Sequence, residues 1–561
     1  MKTRYFAAAV AVVMLAFTSC INDLDTLPLN DNDLTSEVVY GAEEEAYIQG
    51  LAKLYATISS EELVNVSAND AGASQVTRAF WACQEITTDA CKCAWGNDGW
   101  VRTMNYNTWT DAENDAVFGV FFRSLQAISY CNEYLRQTAS GKLSDRGVSA
   151  ELAAKIQEFR AEARVIRAWY YWMAMDVFGA VPFATENTPF GADAPPQKPA
   201  DYIYDYIVSE LEAVAAEDSA LPAARANYPR MDKGAALGLL ARVYLNAETY
   251  KGEPAYAEAK ATCERIFGLG YKLAPTYAEL FRGDNGENPD ARGEFLMAVP
   301  FDTNKQQSNG GTTFLCRAAQ NDKDWQNYGP LMGVNGGWGG IRLHEDYVER
   351  YFNIDVENAD FTTGEYDAKD GATLDERGKL FFIKGRTSGS MADHSEVINF
   401  LYGWSCFKFN NIPHDKTMEE YEATAVSENF TNIDLPVVRL GEIYLIYAEA
   451  CARLGQGVAE AQVKMDELAE RTGMPAITVP GAWNNDARDL FLAERARELM
   501  WESCRRTDLI RYGLYTSEEY VWPFKGNESA IGQAFPAYKK LFAIPASQIA
   551  ANPDLKNPEG Y

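Results

Sequence analysis

The sequence predicts an all-α protein in which tetratricopeptide-like helical pairs form a curved scaffold that carries large irregular loop insertions. Apolar residues recur at helical spacing over much of residues 43–300 and again over 437–512. Small residues alternate with large aromatic ones in these segments, although no strict 34-residue period is present. A single helical pair cannot bury its own apolar face, so the pairs are expected to stack on one another.

The clearest helix is predicted over 156–177, where apolar residues follow steps of three and four. Gly179 and Pro182 end it. The same periodicity predicts helices at 43–58, 115–137, 202–214, 233–247, 255–267, 440–454, 459–471 and 487–504.

The composition excludes several classes of function. Of the 561 residues, 47% are hydrophobic and 23% are charged, which is typical of a globular chain with a large core. The formal charge of −29 disfavours nucleic acid as a partner, because the average field repels phosphates. Three histidines leave little room for catalysis at a metal held by several histidines.

The N-terminus resembles a lipoprotein signal peptide over residues 1–19. Lys2 and Arg4 precede an apolar stretch of about 12 residues, too short to span a bilayer. The stretch ends in Phe17-Thr18-Ser19-Cys20, which is similar to a lipobox and predicts lipidation of Cys20. Acyl chains there would anchor the protein to a membrane, with residues 20–42 as tether. Ordinary secretion with cleavage near Ser19 is the alternative.

The other nine cysteines do not form a disulfide framework in a chain of this length. Four lie inside helical patterns and are expected to be buried: Cys131, Cys263, Cys451 and Cys504. A bridge between Cys83 and Cys91 is left open. Zinc at Cys91 and Cys93 is disfavoured, because no second pair of ligands lies at useful spacing.

Two irregular stretches, about 302–436 and 515–561, are predicted to be insertions that carry the function. Residues 302–343 contain eight glycines and two tryptophans, Trp325 and Trp338, without a helical period. Four more tryptophans, at 81, 95, 100 and 109, lie mostly among polar residues and glycines. An aromatic ring in a polar loop needs a cover, and the apolar face of a pyranose ring would provide one. Packing of the loops onto the scaffold is the alternative.

Enzyme activity is not expected. Among 80 carboxylates no pair stands out as a general acid and base, and no nucleophile elbow, phosphate-binding loop or zinc-protease motif is present. The charged runs Glu494–Glu498 and Arg505–Asp508 predict ion pairs on and between helices rather than catalysis.

Several segments, in order along the chain, are similar to the SusD/RagB family. The most specific are 159–171 (FRAEARVIRAWYY) with 177–183 (VFGAVPF), 233–247, 435–450, 494–511 and the C-terminal 544–561. The resemblance implies a single SusD-like domain over 43–561. It also implies a surface lipoprotein of the outer membrane that passes oligosaccharides to a SusC-type TonB-dependent transporter, without catalysis.

The family's starch-binding pattern implies a glycan site in this sequence. Trp95 and Trp338 fall on stacking aromatics, while Asp70, Arg78 and either Asn97 or Asp98 fall on contacts to sugar hydroxyls. A third aromatic of the pattern is replaced here by Asn309, and Trp325, Tyr328 or Trp100 could substitute.

The family resemblance also implies a calcium neighbourhood at Asp284, Asn432 and Asp434, but Gly286 stands where a carboxylate is expected. That set is weak for a cation that prefers six to eight oxygens. No other cofactor is expected.

The function predicted from the sequence is therefore capture of oligosaccharides, with starch-type α-glucan as the favoured ligand. A tetratricopeptide-like surface lipoprotein that binds peptide or protein, and a glycoside hydrolase, are the alternatives.

Overall fold

The computed structural model describes residues 39–61, 72–112, 114–189, 194–422 and 429–561. The predicted signal peptide, Cys20, nearly all of the predicted tether and Asp70 lie outside these residues. Lipidation at Cys20 and a sugar contact at Asp70 therefore stay predictions.

Helices dominate the described chain, and the predicted all-α class is confirmed. The helices before residue 300 are α1 (Glu44–Ser59), α2 (Val76–Trp81), α3 (Gly99–Asn105), α4 (Asp115–Gln137), α5 (Ser140–Asp145), α6 (Ala150–Phe178), α7 (Ala200–Ala215), α8 (Lys233–Leu245), α9 (Ala247–Lys251), α10 (Tyr256–Phe267) and α11 (Pro289–Glu294). Those after it are α12 (Gly311–Ala319), α13 (Asp322–Tyr328), α14 (Glu345–Phe352), α15 (His394–Val397), α16 (Met418–Glu422), α17 (Leu440–Leu454), α18 (Val458–Glu470), α19 (Asn485–Glu498), α20 (Arg505–Arg511) and α21 (Ala546–Ala551).

Strands are short and form four antiparallel two-stranded pairs in the described residues. They are β1 (Lys92–Cys93) with β5 (Ile341–Arg342), β2 (Val181–Pro182) with β3 (Gln197–Lys198), β4 (Phe295–Val299) with β8 (Leu435–Arg439), and β6 (Phe381–Phe382) with β7 (Ser405–Cys406).

The predicted stack of helical pairs is confirmed. Helix α4 packs on α6, α6 on α7, α7 on α8, α8 on α10, α10 on α17, and α17 on α18. Each helix thus buries its apolar face against its neighbours in the series, as in helical repeat proteins. Capping residues fix where the long helices begin and end: the Asn114 side chain accepts from the N–H of Val117 and Ser149 from Leu152, while Gly179 ends α6 at φ +70°.

One predicted helix is too long. The segment predicted as 487–504 ends at Glu498, and a separate helix, α20, starts at Arg505. Trp501 and Ser503 both adopt φ +62°, a left-handed conformation that cannot continue an α-helix. The apolar spacing continues through this turn, so the sequence pattern alone does not show the break.

The chain leaves the stack after α10 and returns to it at α17. Strands β4 and β8 pair where it leaves and returns, with Phe295 opposite Arg439 and Val299 opposite Leu435. We call the segment between them, residues 300–434, the excursion. Its described residues include five α-helices, α12 to α16, in sequence without a recognisable period. The predicted domain boundaries themselves stay a prediction.

A buried ion cluster connects the excursion, β8 and the end of the stack; it consists of Arg377, Arg439, Arg471, Glu294 and Glu498. Glu498 accepts from Arg439 and Arg471 at 2.6 Å each and from Arg377 at 2.9 Å. Glu294 accepts from Arg439 at 3.0 Å and from Arg471 at 2.5 Å. The prediction that the charged run at 494–498 makes ion pairs is confirmed.

The nine cysteines of the described residues are buried free thiols, and Cys83 and Cys91 are not bridged. Within the same residues, no helix combines the length and the apolar character needed to cross a bilayer.

Candidate functional site

The short β1–β5 ladder brings the two predicted stacking tryptophans into one neighbourhood. Its register places Cys93 opposite Ile341, and the N–H of Ala94 donates to the carbonyl of Gly340 at 2.8 Å. Trp95 follows Ala94 directly, and Trp338 lies two residues before Gly340. Two segments more than 240 residues apart in sequence therefore meet here.

The Trp95 ring lies against a cation and a second aromatic ring. The Arg78 guanidinium lies 5.7 Å from the Trp95 ring centroid and 4.3 Å from that of Phe314. The Trp95 and Phe314 rings are 6.1 Å apart in an edge-on arrangement. Trp95 is half-buried, so part of the indole faces solvent while its other side is fixed by these contacts.

Trp338 packs against α12, the helix that carries Phe314. Its N–H donates to the carbonyl of Arg317 at 2.8 Å, and the Arg317 guanidinium lies 4.7 Å from the Trp338 ring centroid. Arg317 follows Phe314 by three residues, so the two side chains project from one face of α12. Trp338 is also half-buried. Helix α12 thus supports both indoles.

The close approach of the Trp95 ring requires a glycine at position 340. Gly340 has φ +110°, and a Cβ at this position would lie 2.7 Å from Nε1 of Trp95. Any side chain here would displace the indole and strain the backbone. The glycine-rich sequence therefore serves close packing against an aromatic ring.

Residues 293–561 match a family model described as "SusD family", and residues 43–245 match one described as "Starch-binding associating with outer membrane". The chain is 30% identical to the starch-binding protein SusD of Bacteroides thetaiotaomicron, over 100% of both chains. The chain belongs to the SusD family. The predicted family resemblance is confirmed.

Other SusD-family proteins are similar over most of the chain. The SusD-like protein P2 of Formosa agariphila is 23% identical, over 80% of this chain and 82% of that protein. Surface glycan-binding protein A of Bacteroides thetaiotaomicron, solved with laminarihexaose, superposes with a TM-score of 0.65 at 18% identity, covering 91% of this chain and 99% of that one. A SusD-like carbohydrate-binding protein of Bacteroides fragilis gives 0.66 at 19% identity, covering 92% and 99%. These two solved structures share the fold, and both proteins are described as carbohydrate-binding.

The polar residues predicted from the SusD family occupy different environments. Asn97 and Asp98 are exposed in the turn after Trp95, where the N–H of Asp98 donates to the Trp95 carbonyl at 2.9 Å. Arg78 is only 3% exposed and lies beneath Trp95. Asn309 is half-buried, and both its N–H and its amide group donate to the carboxylate of Glu61. Among those that the structure describes, only Asn97 and Asp98 are exposed, and both follow Trp95 in the same turn.

The remaining tryptophans divide between the core and the surface. Trp81 and Trp109 are buried, which fits the packing alternative for these two. Trp100 and Tyr328 are half-buried, and Trp325 on α13 is 37% exposed. Of the substitutes considered for the third aromatic, Trp325 offers the largest exposed fraction.

The predicted calcium ligands are already engaged by protein donors. Asp434 accepts from the Tyr228 hydroxyl at 2.6 Å and from the N–H of Phe301 at 3.3 Å. The Asn432 side chain accepts from a backbone N–H at 3.1 Å, and Asp284 pairs with His414 at 2.5 Å. Burial raises the pKa of Asp434 to about 6, and repulsion from nearby carboxylates contributes to that rise. This donor set fits a cation that needs six to eight oxygens poorly.

One exposed aromatic of this neighbourhood was not found from the sequence. Phe400 is 38% exposed, and a Cβ on Gly339 would lie 2.6 Å from its Cδ1 atom. It stands in His394–Gly403, where no motif or periodicity drew attention to a single phenylalanine. The only sequence signal is Gly339, the glycine directly after Trp338.

Proposed function

We infer that this SusD-family protein captures oligosaccharides at Trp95 and Trp338, with starch-type α-glucan as its favoured ligand. The observation that carries this proposal is the pair of half-buried indoles held by one helix at the β1–β5 ladder. Each indole keeps exposed surface while its ring is fixed from behind, so a sugar can stack without first ordering the side chain. Asn97 and Asp98 lie close by in sequence and space to bond the hydroxyl rim.

The wider role follows from the family resemblance and is proposed with it. Lipidated Cys20 would anchor the protein in the outer membrane, facing the cell surface. A SusC-type TonB-dependent transporter would receive the bound oligosaccharide. Modest affinity is sufficient for this role, because a tethered partner and a repeating ligand raise the effective concentration. The SusD protein that is 30% identical carries starch binding in its name, which favours α-glucan over other glycans.

Calorimetric titration with maltohexaose tests the proposal. We expect saturable binding of maltohexaose and weaker binding of laminarihexaose, the β-glucan found in a structural relative. A reducing-end assay on the same samples should show no release of sugar. Release would favour the glycoside hydrolase, whereas absence of binding to any glycan, together with binding of peptides, would favour the peptide-binding alternative.

A matched pair of glycine variants tests whether the Trp95 position matters. Gly340→Ala should lower maltohexaose affinity by about tenfold, because the new Cβ displaces the indole, one of the few contacts expected to dominate binding. Gly252→Ala is the control, since Gly252, after α9 in the helical stack, also has a positive φ, +81°, but a Cβ there would have nothing within 4 Å. Both variants carry a backbone cost of about 1–2 kcal/mol, measurable by thermal unfolding. Equal affinity in the two variants would contradict the proposed position of the ligand.

A further inference from the structure

Three aromatic rings gather round one stretch of three residues, 338–340. Trp338 contributes its own indole. The missing side chain of Gly339 leaves space that the Phe400 ring occupies, and the missing side chain of Gly340 leaves space that the Trp95 ring occupies. Phe400 is therefore a direct neighbour of the backbone that joins the two proposed stacking tryptophans.

Two buried arginines hold the loop of Phe400 in place. Arg342, on β5, donates to the carbonyls of Val397, Asn399 and Tyr402, on both sides of Phe400. Arg386 donates to the Phe400 carbonyl at 3.3 Å. Both guanidinium groups are almost fully buried. The backbone of the loop is thus fixed by charged donors, which sets where the Phe400 side chain leaves the main chain.

Contacts within the excursion also fix the backbone of Phe400 relative to α13. Asn321, which caps α13, donates its side-chain N–H to the Phe400 carbonyl at 3.3 Å. Asp324, on the first turn of that helix, pairs with Arg386 at 2.8 Å. Phe400 is more than a third exposed, and its backbone is held by these buried polar contacts, so an apolar ring is presented to solvent from a fixed loop.

We propose that Phe400 is a third stacking aromatic of the glycan surface, beside Trp338, and that it contacts an additional sugar residue of longer chains. This inference rests on the proposed function and extends it to chain-length preference. A short oligosaccharide that fills the Trp95 and Trp338 positions would not reach Phe400. A longer one would gain a contact there, and affinity would rise with length.

Titration of purified protein with maltotriose and with maltohexaose tests this assignment. Phe400→Ala should weaken maltohexaose binding by roughly tenfold, as expected for an aromatic contact of a binding surface. Maltotriose binding should stay within about twofold of wild type. Phe400→Trp keeps a flat aromatic face and should therefore keep the preference for the longer sugar. Phe400→Leu preserves apolar packing against Gly339 but has no flat face, so it should bind as the alanine variant does. It replaces the alanine variant in the test if alanine disturbs folding.

Val463→Ala is the control, because Val463 is an exposed apolar residue on α18 in the helical stack, 53% exposed. It should bind both sugars as wild type does. If wild type binds maltohexaose and both the leucine and alanine variants retain the full preference for the longer sugar, the role of Phe400 is overturned and the proposed function stands. If wild type binds neither sugar, the proposed function itself fails.

Discussion

Replacing Trp95 and Trp338 together by alanine should abolish detectable maltohexaose binding, while each single replacement lowers affinity by about 30-fold or more. Aromatic side chains at the centre of a binding surface commonly contribute about 2 kcal/mol or more each, and 1.4 kcal/mol corresponds to tenfold. Two such losses of binding free energy would together bring a modest affinity below detection. The double variant should remain folded, because both rings are half-buried and neither lies in the buried core.

The matched control is Tyr202→Ala. Tyr202 is an aromatic residue on α7 that is 45% exposed, and it belongs to the helical stack rather than the candidate site. Binding is measured by calorimetry and folding by far-ultraviolet circular dichroism and thermal unfolding. A double variant that binds maltohexaose within threefold of wild type, with unfolding unchanged, would remove the tryptophans from the proposal.

Replacing Glu498 by glutamine should lower the free energy of unfolding by about 3–5 kcal/mol, the usual cost of removing one partner from a buried ion pair. Its carboxylate is fully buried and accepts from three arginines, Arg377, Arg439 and Arg471. The glutamine has nearly the same shape but no charge, and its amide brings a donor towards these cations. Urea unfolding measures the change. Glu470→Gln on α18, an exposed carboxylate, should alter stability by less than about 0.5 kcal/mol.

The same cluster, together with Glu494, which accepts from Arg377 at 2.8 Å, predicts loss of stability in acid. Burial opposes ionisation of Glu494, but Arg377 and Arg497 outweigh it and hold its pKa at about 2. For Glu498, burial is likewise outweighed by three arginines, which hold its pKa far below the usual range. Because these folded-state pKa values lie below the unfolded value of 4.5, the stabilisation is complete above about pH 4.5 and is lost as the pH falls towards 2. Stability of Glu498→Gln should depend less steeply on pH in this range; an equal slope would contradict the assignment.

The helical stack was predictable because its sequence signal is long. Over 115–137 the periodic apolar residues predicted the helix with the bounds that the structure has. Helix α12 was not predictable, because its nine residues are too few to show a recognisable helical period. Helices this short, inside a glycine-rich segment, are determined by tertiary contacts rather than by local pattern.

The candidate site was predictable only in part, for a similar reason. Trp95 and Trp338 were found from family resemblance, and their polar surroundings suggested a ligand. Their meeting depends on a ladder of two residues per strand, which is too short to leave a pattern in the sequence. Phe400 depends on three-dimensional contacts with Gly339 and Asn321, and nothing local distinguishes it from other phenylalanines.

Pairing of β4 with β8 has a consequence for how such proteins can diversify. The ladder fixes the two ends of the excursion side by side, whatever the chain does between Val299 and Leu435. For a flexible loop, each doubling in length adds only about 0.6 kcal/mol of closure entropy. Segments of the excursion can therefore be lengthened, shortened or exchanged at small thermodynamic cost. Under the proposed function, glycan preference could change in this way while the ladder and the helical framework stay the same.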